Sequence, residues 1–293
     1  MPDQASQAQS TQSDILRRYV FDQLNCRGEF VRLNQSLNQV FANHQYPQPV
    51  KKLLSEMMAV TALLTATLKF EGDISVQIQG DGPVSYAVVN GNDKLHMRAM
   101  ARISGELTDD SLNALIGKAH LVITINPEKG ERYQGIVAAD GDNIAQCIEN
   151  YFEQSEQLRT KIWLATELGE NDNHVGALFL QVMPVQDNAK NEDFDHLATI
   201  TQTVKDEELL HLDNTQLLMR LYHEDNPTVF EPQTVVFKCS CSLEKTQTAL
   251  AQVDHQSLLE QIKAQGPIKV DCQFCLKQYS FDADDVNAIH QRH

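Results

Sequence analysis

Apolar residues recur at helical spacing from Val50 through Leu53, Leu54, Met57, Met58 and Leu64 to Leu68, and Pro47 and Pro49 just ahead suit a helix entry. No polar partner accompanies that stripe, so its leucines and methionines read as core packing. The period then changes to two. Ile74, Val76 and Ile78 alternate with Ser75, Gln77 and Gln79 before Gly80-Asp81-Gly82-Pro83 turns the chain. Val84 to Val89 and Leu95 to Ala101 flank Asn90-Gly91-Asn92-Asp93, a hairpin signal because Asn-Gly tolerates positive φ. Leu121 to Ile125 and Tyr133 to Val137 predict another strand pair, with Pro127 and Gly130 in its loop. Ile144, Ile148, Tyr151, Ile162 and Trp163 predict a helix over Asn143 to Ala165, and Ala177 to Met183 reads as a last strand closing at Pro184. Strands and helices mixed in this order predict an α+β domain over residues 1–186.

The next stretch, residues 187–231, changes character. Between Asp187 and Asn226 stand ten acidic residues against Lys190, Lys205 and Arg220, a net charge of −7. Leu209, Leu210, Leu217, Leu218 and Leu221 can still give Asp206 to His223 an apolar helical face. Two readings stay open here: an ordinary solvated helical linker, or a metastable segment near its folding threshold that serves as a switch.

Composition narrows the function classes. A length of 293 residues fits about two domains, and 42% hydrophobic residues suffice for a core. The net charge of −16 argues against a general nucleic-acid binder. The start of the chain, Met1 to Asp14, is polar and shows no secretory signal, and Pro2 to Ser13 is expected to fray. No stretch approaches the roughly 20 apolar residues of a membrane span. The expectation is a cytoplasmic protein with neither membrane nor nucleic acid as partner. In that reducing compartment, close-spaced cysteines are more often metal or redox groups than structural disulfides.

Cys239-Ser240-Cys241 and Cys272-Gln273-Phe274-Cys275 lie 30 residues apart. Two short-spaced pairs each offer two thiolates from a tight turn, as one tetrahedral zinc requires, so these four residues are the predicted metal ligands. Residues 232–293 carry few large apolar groups, and zinc binding supplies about 10–16 kcal/mol in small finger peptides. Zinc would thus be a permanent staple or, since a thiolate is what oxidants attack, part of a sensor. In the second case a sulfenic acid would condense with its neighbouring cysteine to a disulfide. A ring closed over the single residue Ser240 would be strained and easily reduced. Cys147 falls on the helical stripe beside Ile144, Ile148 and Tyr151 and reads as buried; Cys26 stands alone. No histidine sits at metal spacing beside the four cysteines, and His290 and His293 are expected to be solvated. Neither G-x-S-x-G, nor a phosphate loop, nor H-E-x-x-H is present, so no catalytic site is expected and the chain is not read as an enzyme.

Several runs together resemble one family. They are Val76-Gln77-Ile78-Gln79-Gly80-Asp81-Gly82-Pro83, Gly135-Ile136-Val137, Tyr151-Phe152-Glu153-Gln154-Ser155-Glu156-Gln157-Leu158 and Leu180-Gln181-Val182-Met183-Pro184. Leu221-Tyr222-His223-Glu224, Phe237-Lys238-Cys239-Ser240-Cys241 and Val270-Asp271-Cys272-Gln273-Phe274-Cys275 complete them. The chain is similar over nearly its whole length to the redox-regulated 33-kilodalton heat-shock chaperones, the 33 kDa chaperonins. That resemblance implies an ATP-independent holdase, inactive when reduced and holding one zinc through Cys239, Cys241, Cys272 and Cys275. It also implies that oxidation forms Cys239–Cys241 and Cys272–Cys275 disulfides, releases zinc and unfolds the linker. The protein would then dimerise and bind unfolding clients. By its terms the chain divides into residues 1–186, an acidic helical linker over 187–231 and a zinc redox-switch domain over 232–293.

Two rivals remain. A zinc-ribbon module binding nucleic acid or protein without redox control would want a basic face, yet residues 232–293 carry six basic and seven acidic side chains. A dithiol oxidoreductase using Cys272 and Cys275 would place that motif in an early βαβ unit, not at the end of the chain.

Overall fold

The computed structural model describes residues 14–67, 71–183 and 191–292, without the side chains of Asn191 and Arg292. The polar tail over Pro2 to Ser13, Leu68, Pro184, Asp187, Lys190 and His293 lie outside the described residues. The architecture is α+β, and the chain separates into two compact units, Met1–Phe237 and Lys238–His293.

The first unit opens with β1 (Ile15–Phe21), β2 (Cys26–Leu33), α1 (Gln35–Phe41) and α2 (Gln48–Thr67). There follow β3 (Gly72–Gly80), β4 (Val84–Asn92), β5 (His96–Ile103), α3 (Leu112–Ile116), β6 (Ala119–Pro127) and β7 (Tyr133–Ala138). Next come α4 (Ile144–Tyr151), a π-helical turn (Phe152–Glu156), β8 (Thr160–Leu168) and β9 (Asn173–Val182). The acidic stretch folds as α5 (Asn191–Thr201), α6 (Asp206–His211) and α7 (Asn214–Tyr222). Three two-residue strands end the unit: β10 (Thr228–Val229), β11 (Gln233–Thr234) and β12 (Val236–Phe237).

One sheet runs β10-β1-β2-β9-β8 with β11 also on β1, and the other runs β12-β5-β4-β3-β6-β7. The predicted helix over Val50 is α2, and it contacts strands of both sheets. Thirteen of its residues are buried, among them every one from Met57 to Thr65, where the helix is enclosed on all sides and carries no charged residue. The polar ones among them are satisfied locally: Ser55, Thr61 and Thr65 donate their hydroxyls to the carbonyls of Lys51, Met57 and Thr61.

The first sheet is apolar on both faces. Leu16, Val31, Leu33, Val175, Ala177 and Phe179 join α2 in the main core. Their alternating neighbours Ile15, Tyr19, Phe21, Phe30, Leu178 and Leu180 face the other way. There they meet Phe194, Leu197, Tyr222 and the five predicted leucines, Leu209, Leu210, Leu217, Leu218 and Leu221, all of them buried. The acidic helices therefore sheathe the outer face of the sheet.

Two local expectations need correction. The helix that begins at Asn143 ends at Tyr151, and Ile162 and Trp163 lie in β8 instead. A left-handed Gln157 (φ 54°) stops the helical path after the π-turn. The hairpin at Asn90 exists, but Asn90 and Gly91 are strand residues, paired with Ser75 and Ile74. The chain turns over 93–95, with Leu95 at φ 54° and the Asn92 side chain accepting from the N–H groups of Lys94 and His96. Gly91 serves close packing: a Cβ there would lie 2.7 Å from the Met97 sulfur.

Candidate metal centre

The second unit contains α8 (Leu243–Leu250), α9 (His255–Gln265), β13 (Ile268–Asp271), β14 (Gln278–Phe281) and α10 (Ala283–Arg292). Its core is seven buried side chains: Leu250, Leu258, Ile268, Tyr279, Phe281, Val286 and Ile289. So small a core gives little stability without a further constraint.

Strands β13 and β14 form a hairpin whose loop, residues 272–277, begins with Cys272 and carries Cys275. The Cys272 N–H donates to the Lys277 carbonyl, and the Leu276 N–H donates back to the Cys272 carbonyl. Leu276 takes a left-handed φ of 56°, which closes the turn and brings both sulfurs to one side. Cys239 and Cys241 approach from the segment before α8. That helix is capped by the Ser242 hydroxyl, and Lys245 Nζ holds the Ser240 carbonyl at 2.9 Å.

All four sulfurs lie within 4.8 Å of one another, with Cys239 to Cys272 at 3.6 Å and Cys241 to Cys275 at 3.5 Å. A metal bound to sulfur at about 2.3 Å in a tetrahedron sets edges of about 3.8 Å, so the spacing fits. None of the four is in a disulfide, and all are half-buried. Burial raises the Cys239 thiol and pushes Cys275 up to about 12. Burial also acts upward on Cys241, but hydrogen bonds from the Tyr279 hydroxyl at 3.3 Å and from the other cysteines outweigh it and bring that thiol down to about 7. Four crowded thiols cannot all ionise by themselves, and a bound cation is what would let them. The cluster could hold a metal ion, and it is the one such group among the described residues.

Cys26 and Cys147 are fully buried, in the first sheet and in α4. His290 keeps partial solvent exposure, and it also stacks on His255, with its ring nitrogens meeting the carbonyls of Val286 and Val253. Tyr279 escaped the sequence reading, because only the strand pairing shows that it faces the cluster.

The sequence profile of the family described as Hsp33 protein matches residues 14–282, which include all four cysteines. The chain belongs to the Hsp33 family. A 33 kDa chaperonin of Pseudoalteromonas translucida (strain TAC 125) is 54% identical over 278 residues, covering 95% of this chain and 99% of that protein. Another, from Escherichia coli O7:K1, is 48% identical over 279 residues and 95% of each chain. The crystal structure of the Hsp33 homologue of Thermotoga maritima superposes with a TM-score of 0.83 at 19% identity, over 95% of this chain and 98% of that one, so the fold is shared. No helix among the described residues is long and apolar enough to cross a membrane.

Proposed function

We propose that this Hsp33-family chain is a redox-regulated, ATP-independent holdase, kept inactive by one zinc ion on Cys239, Cys241, Cys272 and Cys275. What carries the reading is the meeting of four sulfurs at tetrahedral spacing in a unit whose core is seven side chains. Zinc, when bound, supplies the positive charge that keeps all four thiols ionised and the folding free energy that so small a core lacks.

The chain's own residues do the rest. Peroxide transfers one oxygen to a thiolate, giving a sulfenic acid and hydroxide. The neighbouring thiol displaces that oxygen as water, so each two-electron oxidation closes one disulfide. We assign the pairs as Cys239–Cys241 and Cys272–Cys275. Disulfide sulfurs are poor metal ligands, so oxidation withdraws what holds the unit together. The switch segment is residues 187–231, between a domain over 1–186 and the zinc domain over 232–293. Its release would uncover Ile15, Tyr19, Phe21, Phe30, Leu178 and Leu180, an apolar sheet face suited to the hydrophobic segments of unfolding clients. The same face serves a homodimer in the oxidised form, and the −16 charge keeps complexes dispersed in the cytoplasm. The deciding measurement is light scattering from an aggregating model client. Reduced chain is expected to leave it unchanged and peroxide-treated chain to suppress it; no suppression in either state would defeat the proposal.

A further inference from the structure

Two adjoining cavities open at the end of α2 in the first unit, one of about 360 Å³ between the two sheets and one of about 500 Å³ beside β1 and β2, with Arg27, Thr67 and Leu158 lining both. Each lies within the size range of small-molecule sites, about 300–1,000 Å³. The smaller lobe is walled by Leu64, Ile74, Ile123, Ile125 and Phe152. The π-turn forms its rim, fixed by Tyr133 and Tyr151, whose hydroxyls donate to Glu156 Oε1 at 2.8 and 3.0 Å. Such π-helical turns concentrate at functional sites.

The polar end is built by the half-buried Arg27 and the buried Gln181 and Glu29. Arg27 donates through Nε and Nη2 to Gln181 Oε1 at 3.2 and 2.6 Å. Gln181, fully buried, is itself fixed by donating to the Thr160 hydroxyl at 2.8 Å. The guanidinium is thereby oriented, and among the described residues its Nη1 hydrogens have no acceptor. Two residues along β2, on the same strand face, Glu29 lines the larger lobe at 2% exposure, and among the described residues its Oε2 has no hydrogen-bond partner. A buried acceptor without a donor costs free energy that neither the fold nor the cysteine switch recovers.

We propose that this cleft binds a free α-amino acid with a large apolar side chain: its ammonium on Glu29, its carboxylate on Arg27 and its side chain over Ile74, Ile123 and Ile125. Arg18 lies across the strand pair from Glu29 and lines the same lobe. A fatty acid still leaves the Glu29 Oε2 without a hydrogen-bond donor and a simple amine leaves the Arg27 Nη1 without an acceptor; a ligand carrying both charges supplies both.

Isothermal titration of the full-length reduced chain with L-phenylalanine, octanoate and phenethylamine tests this. L-phenylalanine is expected to bind, and each single-headed probe to bind roughly tenfold more weakly or worse. Glu29→Gln is expected to remove the advantage of L-phenylalanine over octanoate, while zinc content and melting temperature confirm the fold. Should that variant misfold, Ile125→Phe, which fills the lobe without touching the charged pair, is expected to abolish binding. Octanoate binding as tightly as L-phenylalanine, no heat from L-phenylalanine at millimolar concentration, or full binding by a folded variant would overturn the proposal.

Discussion

The Tyr279 hydroxyl donates to the Cys241 sulfur at 3.3 Å, so this side chain steadies the charge on one of the four cysteines from outside the cluster. Groups that hydrogen-bond to metal ligands typically contribute 10- to 100-fold in affinity. Tyr279→Phe is therefore expected to lower zinc affinity by at least about tenfold in competition with a chromophoric chelator. Cys272→Ser should empty the site, and Cys147→Ser should leave zinc content unchanged. Glu29 gives a different residue-scale prediction. Burial raises its carboxyl from the ordinary 4.5 to about 7, with Arg27 and Arg18 opposing. The folded chain thus keeps a proton that the unfolded chain loses between those values, and its contribution to stability falls as pH rises through that window. The loss is at most on the order of 3 kcal/mol. Urea midpoints at pH 5 and pH 8 are expected to show Glu29→Gln gaining on the wild-type chain at the higher pH; a gain equal at both would remove Glu29 from the pH dependence.

Helix α6 docks on the first sheet through two features that packing alone does not supply. The Arg32 guanidinium reaches from β2 to the carbonyls of Leu209 and Leu212 at 2.8 and 2.6 Å, satisfying the C-terminal end of the helix. Gly176 in β9 admits the helix backbone, since a Cβ there would lie 2.6 Å from the Leu209 carbonyl oxygen. Arg32→Ala leaves these carbonyls unsatisfied, at about 1–3 kcal/mol each, and Gly176→Val pushes the helix away. Either substitution is expected to make residues 191–231 protease-sensitive in the reduced, zinc-loaded chain and to give chaperone activity without oxidant. A cut linker with no activity would separate linker release from client binding. None of this docking was legible in the sequence, because Arg32 and Leu209 stand 177 positions apart. What was legible is local. The apolar period of α2, the alternation in β3 and the two cysteine pairs each show within a few residues. The helix over Asn143 was over-extended for the same reason: Ile162 and Trp163 match a helical period by coincidence, and the left-handed Gln157 that breaks it gives no sign in hydrophobicity. The five leucines of the acidic stretch were visible as an apolar face, but not the sheet they cover.

For the whole molecule the pairing of the disulfides decides whether oxidation opens the fold or locks it. In the reduced unit the two short sulfur contacts run across the pairs, Cys239 to Cys272 at 3.6 Å and Cys241 to Cys275 at 3.5 Å. Closing either cross-link would tie the segment before α8 to the β13–β14 hairpin and hold the unit together in place of the metal. Neighbour pairing does the opposite: it uses up all four ligands while leaving the two segments unconnected, so the seven-residue core has nothing to hold it. Loop closure favours neighbours once the unit begins to open, because the loops then span one or two residues rather than 30. The expected course is thus partial opening first and neighbour disulfides second, with unfolding made lasting by the loss of the ligands. Peptide mapping of peroxide-treated chain without reduction is expected to find Cys239–Cys241 and Cys272–Cys275. In parallel, cutting between residues 191 and 231 should rise with oxidation and fall again with dithiothreitol plus zinc. A dominant Cys239–Cys272 or Cys241–Cys275 link with the linker still resistant would mean that oxidation traps the closed unit, and client binding would then need a trigger other than these cysteines.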